Sequence, residues 1–218
     1  TDQNGEFQFT GFHASRLAVA VTKEGYEMGR AAGVYTAPNE QDKTSAMERA
    51  IFHMWKLKGA EPMVHTAFDS RVPYNGQTTA FDIFTGRKSK DGDLKIALTR
   101  HPLQIRRGKD HFDWNVQIQV VGGGLIETSD LYPNEAPESG YQPTFDFSVA
   151  KDASNWTQKL TKTYYIHTID GDYGRINIDL AVDSERPQGT GISFEVWLNP
   201  NSGDRNLEFD PSKEIKMK

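Results

Sequence analysis

The chain has 218 residues, 25 Lys and Arg against 30 Asp and Glu, a net charge of −5 and no basic run longer than Arg106-Arg107, a balance that argues against nucleic acid or an anionic membrane as partner. It contains no cysteine, which removes disulfide scaffolds, cysteine zinc sites and thiol nucleophiles. No stretch approaches the roughly 18 apolar residues of a spanning helix, so no membrane insertion is expected, and the opening Thr-Asp-Gln-Asn-Gly carries no signal peptide.

The N-terminal third opens with two strand-like segments, Glu6 to Thr10 with Phe7 and Phe9 inward, and Ser15 to Thr22 with Leu17, Val19 and Val21 inward. Between Pro38 and Gly59, residues Met47, Ala50, Ile51, Met54 and Leu57 recur at helical spacing. Ser45 and Glu48 are set as a capping box and Gly59 as a stop. This predicts one α-helix near residues 40–58. Phe52 falls opposite the apolar stripe, among Glu48, Arg49 and Lys56, and is either buried under a loop or an exposed interface aromatic.

Strands are expected near 62–68, 78–85, 93–100, 103–107 and 111–121, divided by turn residues at Tyr74-Asn75-Gly76, Asp91-Gly92 and Gly108-Lys109-Asp110. The alternation is cleanest at 112–120. Phe112, Trp114, Val116, Ile118 and Val120 fall on one side, and Asp113, Asn115, Gln117 and Gln119 on the other, as in a strand with one dry and one wet face. Residues 122–143 form the longest stretch without a period. Loops beyond about 12 to 15 residues are uncommon and often functional, which makes Tyr132 and Tyr141 interface candidates. Further strands follow near 144–150, 156–168, 174–183 and 190–199, then a turn-rich tail from Pro200.

The pattern predicts a mostly β protein, an antiparallel β-sandwich of immunoglobulin-like or jelly-roll type with one α-helix near residues 40–58. A single domain over 1–218 is expected, with the portion of about 1–90 that carries the helix as a sub-layer or insertion. Most catalytic signatures are absent: there is no phosphate loop, no G-x-S-x-G elbow, no H-E-x-x-H and no EF-hand loop. Gly122-Gly123-Gly124 reads as a bulge or bend at a sheet edge, and Asp170-Gly171-Asp172 as a hairpin turn. His13, His53, His65, His101, His111 and His167 include no metal-binding spacing, and Asn155-Trp156-Thr157 has the form of a glycosylation sequon. No metal, cofactor or catalytic residue is assigned.

A register argument singles out one sheet face. With Tyr164, Ile166, Ile176 and Ile178 inward, parity pairs residue 166 with 176 around an Asp170-Gly171-Asp172 loop. That pairing sets His167 opposite Arg175 and Tyr165 opposite Asn177 on the other face. Keeping Ile192, Phe194, Val196 and Leu198 inward on the next strand adds Trp197 to it. Trp197, Tyr165, His167, Arg175 and Asn177 then form a patch of planar rings and forked donors, a surface suited to sugars. The same residue types suit β-elimination of a uronic-acid polymer, with Arg or Asn on the carboxylate and Tyr or His removing the C5 proton. They equally suit cross-strand pairs beneath a covering loop. The composition suits an extracytoplasmic setting (periplasmic, secreted or cell-surface). The expected function is a non-catalytic module binding a glycan or a partner protein, or a structural part of a cell-surface assembly. The alternative is a polysaccharide-active enzyme, most plausibly a uronic-acid polysaccharide lyase.

Overall fold

The computed structural model describes residues 3, 5–7, 16–28, 33–36, 51–183, 185 and 189–217. The chain divides into two compact units, Thr1–Leu57 and Lys58–Lys218. In the smaller unit, β1 (Arg16–Val19) pairs antiparallel with β3 (Gly33–Thr36), and β2 (Tyr26–Met28) with β4 (Met54–Lys56). Of the second strand expected there, Arg16–Val19 forms; residues 8–10 of the first, and residue 15, lie outside the described residues.

The helix expected near 40–58 is not found. Residues 38–50 lie outside the described residues, 51–53 have no regular structure, and Met54–Lys56 is extended. An amphipathic helix forms to bury its stripe, yet Ile51 and Leu57 of that stripe are 72% and 43% exposed. The segment instead satisfies its backbone by pairing with Tyr26–Met28, and Leu57 N donates to Gly25 O at 2.9 Å.

That larger unit holds β5 (Val64–Val72), β6 (Asn75–Phe81), β7 (Leu94–His101), β8 (Asp113–Val120), β9 (Gly124–Thr128), β10 (Thr144–Val149), β11 (Lys159–His167), β12 (Tyr173–Ala181) and β13 (Thr190–Asn199). They form a four-stranded sheet in the order β10-β8-β7-β6 and a five-stranded sheet in the order β5-β13-β12-β11-β9, every pair antiparallel. The protein is therefore mostly β. The alternation on β8 works as its pattern demands: Trp114, Val116, Ile118 and Val120 are buried while Asp113, Asn115 and Gln117 are exposed. One apolar cluster takes Leu94, Ile96 and Leu98 of β7 and the buried face of β8 together with Ile176, Ile178 and Leu180 of β12 and Ile192, Phe194 and Val196 of β13. Burying a side chain of this size is worth about 1.5–3 kcal/mol, so the contact between the two inner faces supplies the main cohesion of the unit. Phe194 of β13 meets Phe81 of β6 at 5.4 Å and Phe68 of β5 at 4.8 Å, which ties the sheets at one edge.

Two expectations in this unit change. Residues 103–107 run as a bend and loop into a turn at 107–109 rather than a strand, and the turn is held where Arg106 N and its guanidinium both bond the Asp110 carboxylate and Lys109 N donates to Arg106 O. The stretch 122–143 contains β9, which adds to the edge of β11, with Leu125 and Gln142 bridging behind it. A strand of five residues beginning at a glycine is too short to show a period, which is why the alternation missed it.

Candidate functional site

The outer face of the five-stranded sheet collects all five residues of the expected patch. Side-chain parity places Tyr165, His167, Arg175, Asn177 and Trp197 on that face, but the pairing differs from the one read off the sequence by one step of two residues. Tyr165 lies opposite Arg175, His167 opposite Tyr173, and Thr163 opposite Asn177. The turn explains the shift. In a three-residue hairpin loop the third residue adopts a left-handed conformation, and Gly171, at φ +88°, supplies it. The loop is thus Ile169-Asp170-Gly171, closed by Gly171 N donating to Thr168 O and Thr168 N donating to Asp172 O. On the other side Arg175 faces Trp197, and Trp197 faces His65 of β5. One rung therefore reads His65, Trp197, Arg175, Tyr165, Ile126 across five strands.

This rung is covered. The Arg175 guanidinium stacks 4.4 Å over the Trp197 ring and donates to Asn134 Oδ1 at 3.1 Å. Tyr165 donates its hydroxyl to Asp130 Oδ2 at 2.7 Å. His65 stacks on Trp197 at 5.1 Å, faces Phe209 at 5.1 Å and approaches Glu195 Oε1 at 3.3 Å. Trp197 and Tyr165, 7% and 3% exposed, join Met63, Ala136, Tyr173 and Leu207 in a second apolar cluster, with Tyr141 and Phe209 packed against it. The cover is made by residues 129–142 and the tail after Pro200, which are stitched to each other. Ala136 N donates to Arg205 O and Leu207 N to Asn134 O, both at 2.9 Å.

The electrostatics follow from that closure. Burial, reinforced by Asp130, pushes the Tyr165 phenol above its ordinary value, and burial beside Tyr173 does the same to Tyr141. A phenol held this way is a poor proton acceptor, so Tyr165 is badly placed to remove a C5 proton. Tyr141, expected at an interface, turns inward toward His167 and Tyr173 and donates to Pro137 O. Tyr132 is half-buried in the same cover. Phe52, in the smaller unit, is half-buried and packs against Phe7 at 5.9 Å. Asn177 lies at the margin of the cover, accepting from Thr163 Oγ1 at 2.9 Å and donating to Glu195.

An open site lies at the far end of β11, about 27 Å along a nine-residue strand. There a groove of roughly 440 Å³ is lined by Gly108, Lys109, Asp110, His111, Trp156 and the segment up to Lys159. The His111 ring lies flat on Trp156, with centroids 4.0 Å apart and planes at 10°. The indole is fixed from below: Trp156 Nε1 donates to Phe112 O at 2.9 Å and Phe112 meets its edge at 89°. The next peptide is held by Trp114 Nε1 donating to Thr157 O at 2.8 Å. The outer imidazole face is exposed. Sequence reasoning treated His111 as one of six unpaired histidines and Trp156 as the middle of a sequon. Only the packing of the two sheets brings them together.

Among the described residues no three His, Asp or Glu side chains converge as metal ligands. Comparisons with protein-family models, curated proteins and solved structures find no match.

Proposed function

We propose that this chain is an extracytoplasmic, non-catalytic module, its larger unit a β-sandwich of immunoglobulin-like or jelly-roll type, that binds a glycan at the groove beside His111 and Trp156. The observation that carries the reading is the flat His111–Trp156 stack with an exposed imidazole face, set in a groove of ligand size. Sugar rings place their CH faces on such a surface while hydroxyls reach polar groups at the rim. Rigid support beneath the indole lowers the ordering cost of binding. The sheet face that favoured the lyase alternative has its tyrosine hydroxyl and its guanidinium committed to Asp130 and Asn134.

A glycan array with wild-type protein and the His111→Ala variant tests this. Binding by the wild type that is lost in the variant, with an unchanged melting temperature, is the expected result. Equal binding by both proteins would move the site elsewhere, and release of unsaturated uronate from any polymer would replace the binding module with the lyase.

A further inference from the structure

We infer that the His111–Trp156 groove selects acidic saccharides, with Lys109 and Lys159 receiving the carboxylate groups; the inference rests on the glycan-binding reading and names its ligand class. The protein as a whole is acidic, yet this groove is not. Its one carboxylate, Asp110, is held by Arg106 through the backbone N–H at 2.7 Å and the guanidinium at 2.9 Å. Those bonds keep Asp110 ionised and occupied, below its usual carboxylate range. Nearby Asp183 and Glu185 are taken in the same way by Arg107, through its Nε and its backbone N–H, both within 2.9 Å.

What remains in the lining of the groove is Lys109 and Lys159, both exposed and neither in a salt bridge among the described residues. Two ammonium groups in the same lining as a flat ring suit a sugar that carries a negative charge beside its stacking face. A neutral sugar would use the ring alone, leaving Lys159 without a salt bridge and Lys109 with only the neighbouring Asp110, which Arg106 already holds. The lysines belong to different segments, the turn before β8 and the first residue of β11, so the two-sheet packing sets their separation. An ammonium is a compact point charge with rotatable donors, which fits carboxylates repeated along a polymer better than one fixed bidentate geometry.

The test uses affinity electrophoresis of the full chain through gels containing polygalacturonate, fully methyl-esterified polygalacturonate of the same backbone, or no polymer. Wild type should be retarded by the free-acid polymer and much less by the ester. Lys109→Gln/Lys159→Gln should bind it about tenfold more weakly, which is about 1.4 kcal/mol over two exposed ion pairs. The control Lys90→Gln/Lys162→Gln, which makes the same change in net charge, should bind like wild type, and thermal melts of both variants check folding. Equal retardation by acid and ester would overturn the acidic selectivity while leaving glycan binding standing. Equal loss in the control variant, or equal binding of a single-stranded oligonucleotide, would reduce the effect to bulk charge and also overturn it. Absence of retardation by the acid polymer, with neutral glycans bound on the array, overturns the selectivity alone. Silence on both removes the glycan reading with it.

Discussion

Replacing Trp197 by alanine separates a core residue from a binding residue. The indole is 7% exposed, with His65 stacked on it at 5.1 Å and the Arg175 guanidinium 4.4 Å above the ring. Truncating a buried Trp to Ala costs about 3–5 kcal/mol through lost transfer energy and the cavity left behind. Loss of the cation–π contact adds up to ~1 kcal/mol, and Arg175 is left beneath the cover with one neighbour fewer. A destabilisation of about 4 kcal/mol is expected. In a folding unit of roughly 150–250 residues each kcal/mol lowers the melting temperature by about 2–4 °C, so the drop should lie near 8–16 °C. Urea unfolding followed by circular dichroism measures it, with the midpoint moving and the slope unchanged. Trp197→Phe keeps a ring under Arg175 and should recover about half of the loss. A melting temperature within 2 °C of wild type for Trp197→Ala would show that the ring is open to solvent, and the covered-face account would fail.

Three further perturbations test the structure elsewhere. Glu208 is 1% exposed and accepts from Lys58 N and Gly59 N at 2.8 Å each; Glu208→Gln turns an amide NH2 toward those donors and should cost about 2–3 kcal/mol in a urea titration, whereas a shift below ~0.5 kcal/mol would show the clasp to be dispensable. Gly171→Ala forces a left-handed φ of +88° on a residue with a Cβ and brings that Cβ within 2.4 Å of Ser202 Oγ, so a loss of about 1–2 kcal/mol in thermal melts is expected, and a neutral result would refute the turn account of the register.

The third concerns Asp172. Burial, then Asp170, raises its pKa above 3.8 in the folded chain while His167 opposes the shift. The folded state therefore binds this proton more tightly than the unfolded one. Below 3.8 both states are protonated and the group has no effect, and as pH rises through the raised value the buried charge comes to cost stability. Asp172→Asn should then stabilise the protein at pH 7, with the gain fading as pH falls toward 3.8. Equal gains at pH 7 and pH 3 would refute a titration origin.

The strands of the larger unit were legible because side-chain period is a local property. Alternation identifies the inward face of 112–120, 156–168, 174–183 and 190–199 without any knowledge of the partner strand, and it placed Trp197, Tyr165 and Arg175 on one face correctly. It could not tell whether Gly171 is the second or the third residue of the loop, because either candidate pairing keeps the same residues inward, and the choice rests on which residue must be left-handed. Nor could it separate a helix from a short extended pairing at Met54–Lys56, where a three-residue strand is too brief to carry a period.

What the sequence by itself determined is the β architecture, the absence of thiol chemistry and the two faces of each long strand, all consequences of composition and a two-residue repeat. Tertiary structure alone decided which face is open. Residues 129–142 and the tail after Pro200 return over Trp197 and Tyr165 because backbone bonds between Ala136 and Arg205 and between Asn134 and Leu207 hold two distant segments together. The packing of the sheets likewise sets His111 on Trp156 and brings Lys109 and Lys159 to one groove. Contacts between segments far apart in the chain leave no periodic trace in it, so the candidate site became visible only in the fold.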